Sequence, residues 1–147
     1  MRRDYFTLET ADATADEPGQ PTVLITYEGP TEELETRLRR EDGQLDGDGV
    51  DVAYRLHEPL DADAPTGVFG VSDRITGEYV LEVNAGSGPI LSVVEAARMD
   101  ADGRYRLVIE TDDGSQLAAY DKSTLLVYDG DGNLLRDRSL IPSGVEI

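Results

Sequence analysis

Residues 78–110, EYVLEVNAGSGPILSVVEAARMDADGRYRLVIE, decide the fold class. The run Glu78–Asn84 is short, apolar and ended by Gly86, which reads as a strand. Pro89 then fits the first turn of a helix, where a missing backbone N–H is no loss. Ile90, Leu91, Val94 and Ala97 recur on one face, with Glu95 and Arg98 on the other. Asp102-Gly103 closes that region. Tyr105, Leu107 and Ile109 next alternate with Arg104, Arg106 and Glu110, the period of two expected of a half-buried strand.

The same order of elements precedes this stretch. Strands are expected at Tyr5–Glu9 and Thr22–Glu28, separated by the acidic loop Ala11–Gln20. Gly29-Pro30 leads into a helix whose Leu34 and Leu38, four apart, share its core face. Val50, Val52, Tyr54 and Leu56 alternate along a further strand, after the polar loop Glu41–Gly49. Strands at Gly67–Asp73 and Glu78–Asn84 are joined by Arg74-Ile75-Thr76-Gly77, and two more lie at Ser115–Tyr120 and Leu125–Tyr128. Gly-Pro before each helix and Tyr-Arg-Leu at Tyr54 and Tyr105 suggest pseudo-repeats over 21–77 and 78–129. The expectation is one α+β domain over residues 1–147: a mostly antiparallel sheet of about eight or nine strands with two helices on one face. The opposite face would then be free.

Charge bounds the habitat. Asp and Glu number 31 against 13 Lys and Arg, a formal net charge of -18, and Lys122 is the one lysine. At about 1 M salt the Debye length is roughly 3 Å, so repulsion among surface carboxylates largely disappears. Acidic side chains also favour solubility more than basic ones do. The composition implies a halophilic surface, hydrated nonspecifically by K+ or Na+. This charge argues against nucleic acid and anionic membrane as partners and leaves a protein partner or self-association. The absence of cysteine excludes disulfides and thiolate chemistry. No apolar run is long enough for a membrane span or a secretory leader, so a cytoplasmic location is expected.

Candidate chemistry is sparse. Asp129-Gly130-Asp131-Gly132-Asn133 and Asp46-Gly47-Asp48-Gly49 resemble calcium loops, but the twelfth position from Asp129 is Leu140, where an EF-hand needs Glu. They read as turns. His57 is the single histidine and comes just after a strand. Ser87, where a strand meets a helix start, could hold a small anion. Arg37, Arg39 and Arg40 form the one dense basic patch and could grip a phosphate. No catalytic residue, metal site or cofactor motif emerges. The tail Leu140–Ile147 is apolar and is expected either tucked onto the sheet or bound to a partner.

The segments MRRDYFTL, LLVYDGDGNLLR (Leu125–Arg136) and SLIPSGVEI (Ser139–Ile147) resemble a family of short acidic haloarchaeal proteins of unknown function. The resemblance implies a salt-adapted cytoplasmic protein and brings no activity with it. Together these readings favour a noncatalytic protein-interaction module, not an enzyme. The alternative is a small-ligand or phosphate-binding protein using Ser87 or the Arg37, Arg39 and Arg40 patch.

Overall fold

A computed structural model describes residues 5–11, 20–40, 43–44, 49–99 and 103–141. In chain order the strands are β1 (Phe6–Ala11), β2 (Thr22–Tyr27), β3 (Arg39–Arg40), β4 (Gly43–Gln44), β5 (Val50–Leu56), β6 (Thr66–Asp73), β7 (Tyr79–Gly86), β8 (Tyr105–Thr111), β9 (Gln116–Lys122) and β10 (Leu126–Tyr128). Helix α1 (Thr31–Leu38) lies between β2 and β3, and α2 (Ser87–Met99) between β7 and β8. A short 3-10 turn spans Arg136–Arg138. No helix among the described residues is long and apolar enough to cross a membrane.

The α+β class and the two helices stand, but the expected single sheet does not. Eight strands divide into two mixed four-stranded sheets, ordered β1-β2-β8-β9 and β10-β5-β6-β7, and β3-β4 forms a separate two-residue ribbon. Strongly twisted open sheets split or curl as they grow, and two smaller sheets can enclose a core that one sheet cannot. Both helices are crossovers between the sheets: α1 carries the chain from β2 to β5, and α2 returns it from β7 to β8. Both helices contact β7, and α2 contacts β1 as well.

Nor is the internal duplication confirmed by the topology. The strand before α1, β2, pairs in parallel with β8, whereas its supposed equivalent before α2, β7, pairs antiparallel with β6. The matched triplets still fall in like places. Tyr54 lies in β5, after α1 and the β3-β4 ribbon, and Tyr105 in β8, directly after α2; both are fully buried, and each hydroxyl donates to a carbonyl: Ala85 at 2.7 Å and Thr124 at 2.8 Å. Burial raises both phenols, Tyr54 to about 12.

One apolar cluster receives the inner faces of both sheets. Val23, Ile25 and Tyr27 of β2, Val52 and Tyr54 of β5, Phe69 and Val71 of β6, and Leu107 and Ile109 of β8 all contribute. Leu34 and Leu38 of α1 and Ile90, Val93, Val94 and Ala97 of α2 pack into it. Edge strands β1 and β7 run close together, and α2 packs against both. Lys122, on β9, is buried, and its ammonium donates to the Val50 carbonyl at the start of β5, 2.7 Å away. That bond ties one sheet to the other.

The start of the tail is tucked. Leu140 is buried and pairs antiparallel with Leu125. Arg98 of α2 donates to the carbonyls of Asp137 (2.8 Å) and Ser139 (2.7 Å). The Ser139 hydroxyl accepts from the Val127 amide and donates to the Leu135 carbonyl, both at 2.8 Å. Residues 142–147 lie outside the described residues, as do the expected turn at 46–48, most of the 11–20 loop and Asp102.

Candidate functional site

Strand alternation assembles a surface on the outer side of the second sheet. Register places Arg55, Val68 and Asn84 in one row across β5, β6 and β7, with Tyr128 of β10 beside Arg55. Ala53, Gly70 and Glu82 form the next row. These positions alternate with Tyr54, Phe69 and Val83, which face the core. The result is a cleft of about 240 Å³ with a floor of Ala53, Val68 and Gly70 and walls that include Tyr79, Tyr128 and Gly132.

Tyr79 reaches this face because of an irregularity. Val71 pairs with Leu81 but Ser72 pairs with Tyr79, so β7 carries Val80 as an extra residue. A β-bulge re-aims the side chains beside it. Val80 and Leu81 are consecutive yet both buried, and Tyr79 is turned onto the outer side, 55% exposed. Its ring lies over Gly70, where an added Cβ would stand 3.1 Å from Cε1. Glycine at that position lets the tyrosine lie flat along the floor.

A second cleft, about 410 Å³, adjoins the first and is lined by His57, Thr66, Gly67, Asn84, Ala85 and Gly86. Its rim is fixed by Glu58, whose carboxylate accepts from the Thr66 amide (2.8 Å) and hydroxyl (3.1 Å). On the other flank Arg74 pairs with Asp51 at 2.9 Å, an exposed pair worth at most about 1 kcal/mol.

The turn after β10 closes the first cleft. The Asp129 Oδ1 accepts from the amides of Asp131 and Asn133, each at 2.9 Å, and so holds Gly130-Asp131-Gly132 in a turn. Gly132 adopts φ +87, a left-handed conformation that glycine takes without strain. The expected turn therefore forms, and it presents Gly132 to the cleft.

Of the residues that stand out in the sequence, Ser87 opens α2, is buried, and donates its amide to the Pro65 carbonyl at 3.0 Å. It adjoins Gly86 of the second cleft. His57 lines that same cleft and is exposed. Arg37 belongs to the last turn of α1, while Arg39 and Arg40 form β3, and the placement of their side chains lies outside what is described. Arg55, Glu82, Tyr79 and Tyr128 escape sequence reasoning. Arg55 had a signal, being the outward member of an alternating strand. Tyr79 had none, because a bulge leaves no mark on composition.

Three carboxyls are held below the usual carboxylate range by hydrogen bonds. Glu58 is lowered chiefly by the Thr66 amide, Asp113 by the Thr111 hydroxyl, and Asp129 by the Asn133 amide. A carboxyl lowered in the folded state stabilises it in full above its unfolded pKa of about 4, and this is lost as pH falls through the folded value. In 2 M KCl, where charge repulsion is screened, the melting temperature should hold from pH 7 to about 5 and fall below about 4. Asp129→Asn should shallow that acid limb. An unchanged slope would show that Asp129 is not part of it.

The family comparison fits this architecture to a class without an assigned role. A family of unknown function, DUF5793, matches residues 1–147, and the chain belongs to it. No curated protein and no solved structure matches the chain.

Proposed function

We propose that this protein is a noncatalytic, salt-adapted cytoplasmic module that binds a protein partner through the outer face of its second sheet. One observation carries the reading: the exposed large apolar side chains among the described residues are Ile75, Tyr79 and Met99, and two of them belong to the β6–β7 hairpin bordering the cleft. Ile75, at 92% exposure, stands at the hairpin turn. On a chain of net charge -18, apolar side chains concentrated at one edge mark a contact surface.

The test is a pair of baits in multimolar KCl, the native chain and Ile75→Asp/Tyr79→Ser. A partner retained by the native chain should be lost by the variant, and the purified pair should reconstitute with at least a tenfold difference in affinity. A partner that binds both baits equally would place the surface elsewhere.

Salt adaptation is supported by Lys122. The chain's one lysine is buried, so no lysine ammonium is on the surface. The melting temperature should climb between about 0.1 M and 1 M KCl as screening tightens. Equal melting temperatures at both salts would refute the adaptation.

The alternative, a small-ligand or phosphate-binding protein, draws support from the second cleft and its His57. Ser87 is less suited to it, since it is buried with its amide already committed. A titration with inorganic phosphate that leaves the melting temperature unmoved would remove this reading.

A further inference from the structure

We propose that the occupant of the first cleft is a second copy of this chain, docked face to face about a two-fold axis running along β6. This deepens the reading of the outer face as an interaction surface and rests on it. The argument is charge complementarity of the face with itself. Arg55 stands on the β5 side of β6 and Glu82 on the β7 side, two strands apart and therefore about 10 Å across. Their rows, Arg55–Val68–Asn84 and Ala53–Gly70–Glu82, are two residues or about 7 Å apart along the strand.

A two-fold axis in the interface plane, parallel to β6, exchanges the two sides and keeps the rows. Arg55 of one copy then lies over the β7 side of the other, one row from Glu82 and within reach of a long guanidinium side chain. The same contact recurs on the other side of the axis, as an isologous interface requires. Val68 and Gly70 of β6 lie on the axis with the Tyr79 ring over Gly70, so the two copies approach there through their tyrosines. The hairpin turn lies beside the axis, so the two copies of Ile75 meet there and cover surface that is 92% exposed in the single chain.

Each copy carries -18, so association requires screening of the general repulsion while the close Arg–Glu contacts persist. The dimer should therefore strengthen with salt.

Sedimentation equilibrium in 2 M KCl tests the assignment, with a cooperative melt confirming that each variant folds. The native chain should dimerise below 1 mM and become monomeric at about 0.1 M KCl. Arg55→Glu and Glu82→Arg should each weaken dimerisation at least tenfold, and the double variant Arg55→Glu/Glu82→Arg should recover to within about threefold of native. A native chain monomeric at 1 mM overturns the proposal, as does a double variant no better than the singles. Either result leaves the broader reading to the bait experiment, where a different partner lost by Ile75→Asp/Tyr79→Ser would still uphold it.

Discussion

Gly67→Ala is expected to destabilise the fold by about 3 kcal/mol, in the range that overpacking a tight core produces. Gly67 lies in β6 between Leu56 of β5 and Ala85 of β7. A Cβ there would overlap the Arg55 carbonyl oxygen and stand 2.8 Å from Cζ and 2.9 Å from the hydroxyl of Tyr54. Neither neighbour can yield cheaply. The carbonyl belongs to the backbone of a central strand, and the Tyr54 ring is fully buried with its hydroxyl bonded to Ala85. Moving the ring would strand a buried phenol as well as open the core. Gly88→Ala in α2, where an added Cβ meets nothing within 4 Å, is the matched control and should be neutral or slightly stabilising. Urea unfolding in 2 M KCl measures both. Equal midpoints for the two variants would mean the Gly67 contact relaxes away.

Lys122→Met should cost about as much, roughly 3 kcal/mol, for a different reason. Methionine keeps most of the apolar volume but removes the ammonium donated to Val50 at 2.7 Å. A charged donor to a buried carbonyl is worth more than a neutral one, and removing it leaves the acceptor without its bond in a dry interior. The loss falls between sheets, since Lys122 ends β9 and Val50 begins β5. Asp73, buried as well, is the register partner of Val50, so the variant disturbs a polar corner and not one isolated contact. A midpoint unchanged from native would show that the bond contributes nothing net. Amine acylation offers a second measure, because the only side-chain amine should react at the rate of unfolding in the native chain.

Much of the fold is legible in the residues alone. The period-two runs at Val50–Leu56 and Tyr105–Glu110 became β5 and β8, with Val50, Val52, Tyr54, Leu56, Tyr105, Leu107 and Ile109 all buried. Pro89 and the apolar spacing behind it located α2, and the turn at Asp129–Asn133 formed as its aspartate and glycines required. The candidate site is barely legible. An open sheet face is expected, but Arg55 and Glu82 come to share that face only through the pairing of β5, β6 and β7.

What the sequence determined by itself was local: which residues alternate, where the chain turns, and that the surface is acidic while the interior is apolar. Those properties arise from side-chain chemistry and backbone geometry within a few residues. Only the tertiary structure decided that eight strands form two sheets, that each helix crosses between them, and that Lys122 joins them. It also decided that a bulge at Val80 turns Tyr79 outward over Gly70. Strand partners far apart in sequence are chosen by the packing free energy of the whole core, and a one-residue slip in register reverses which face a side chain joins.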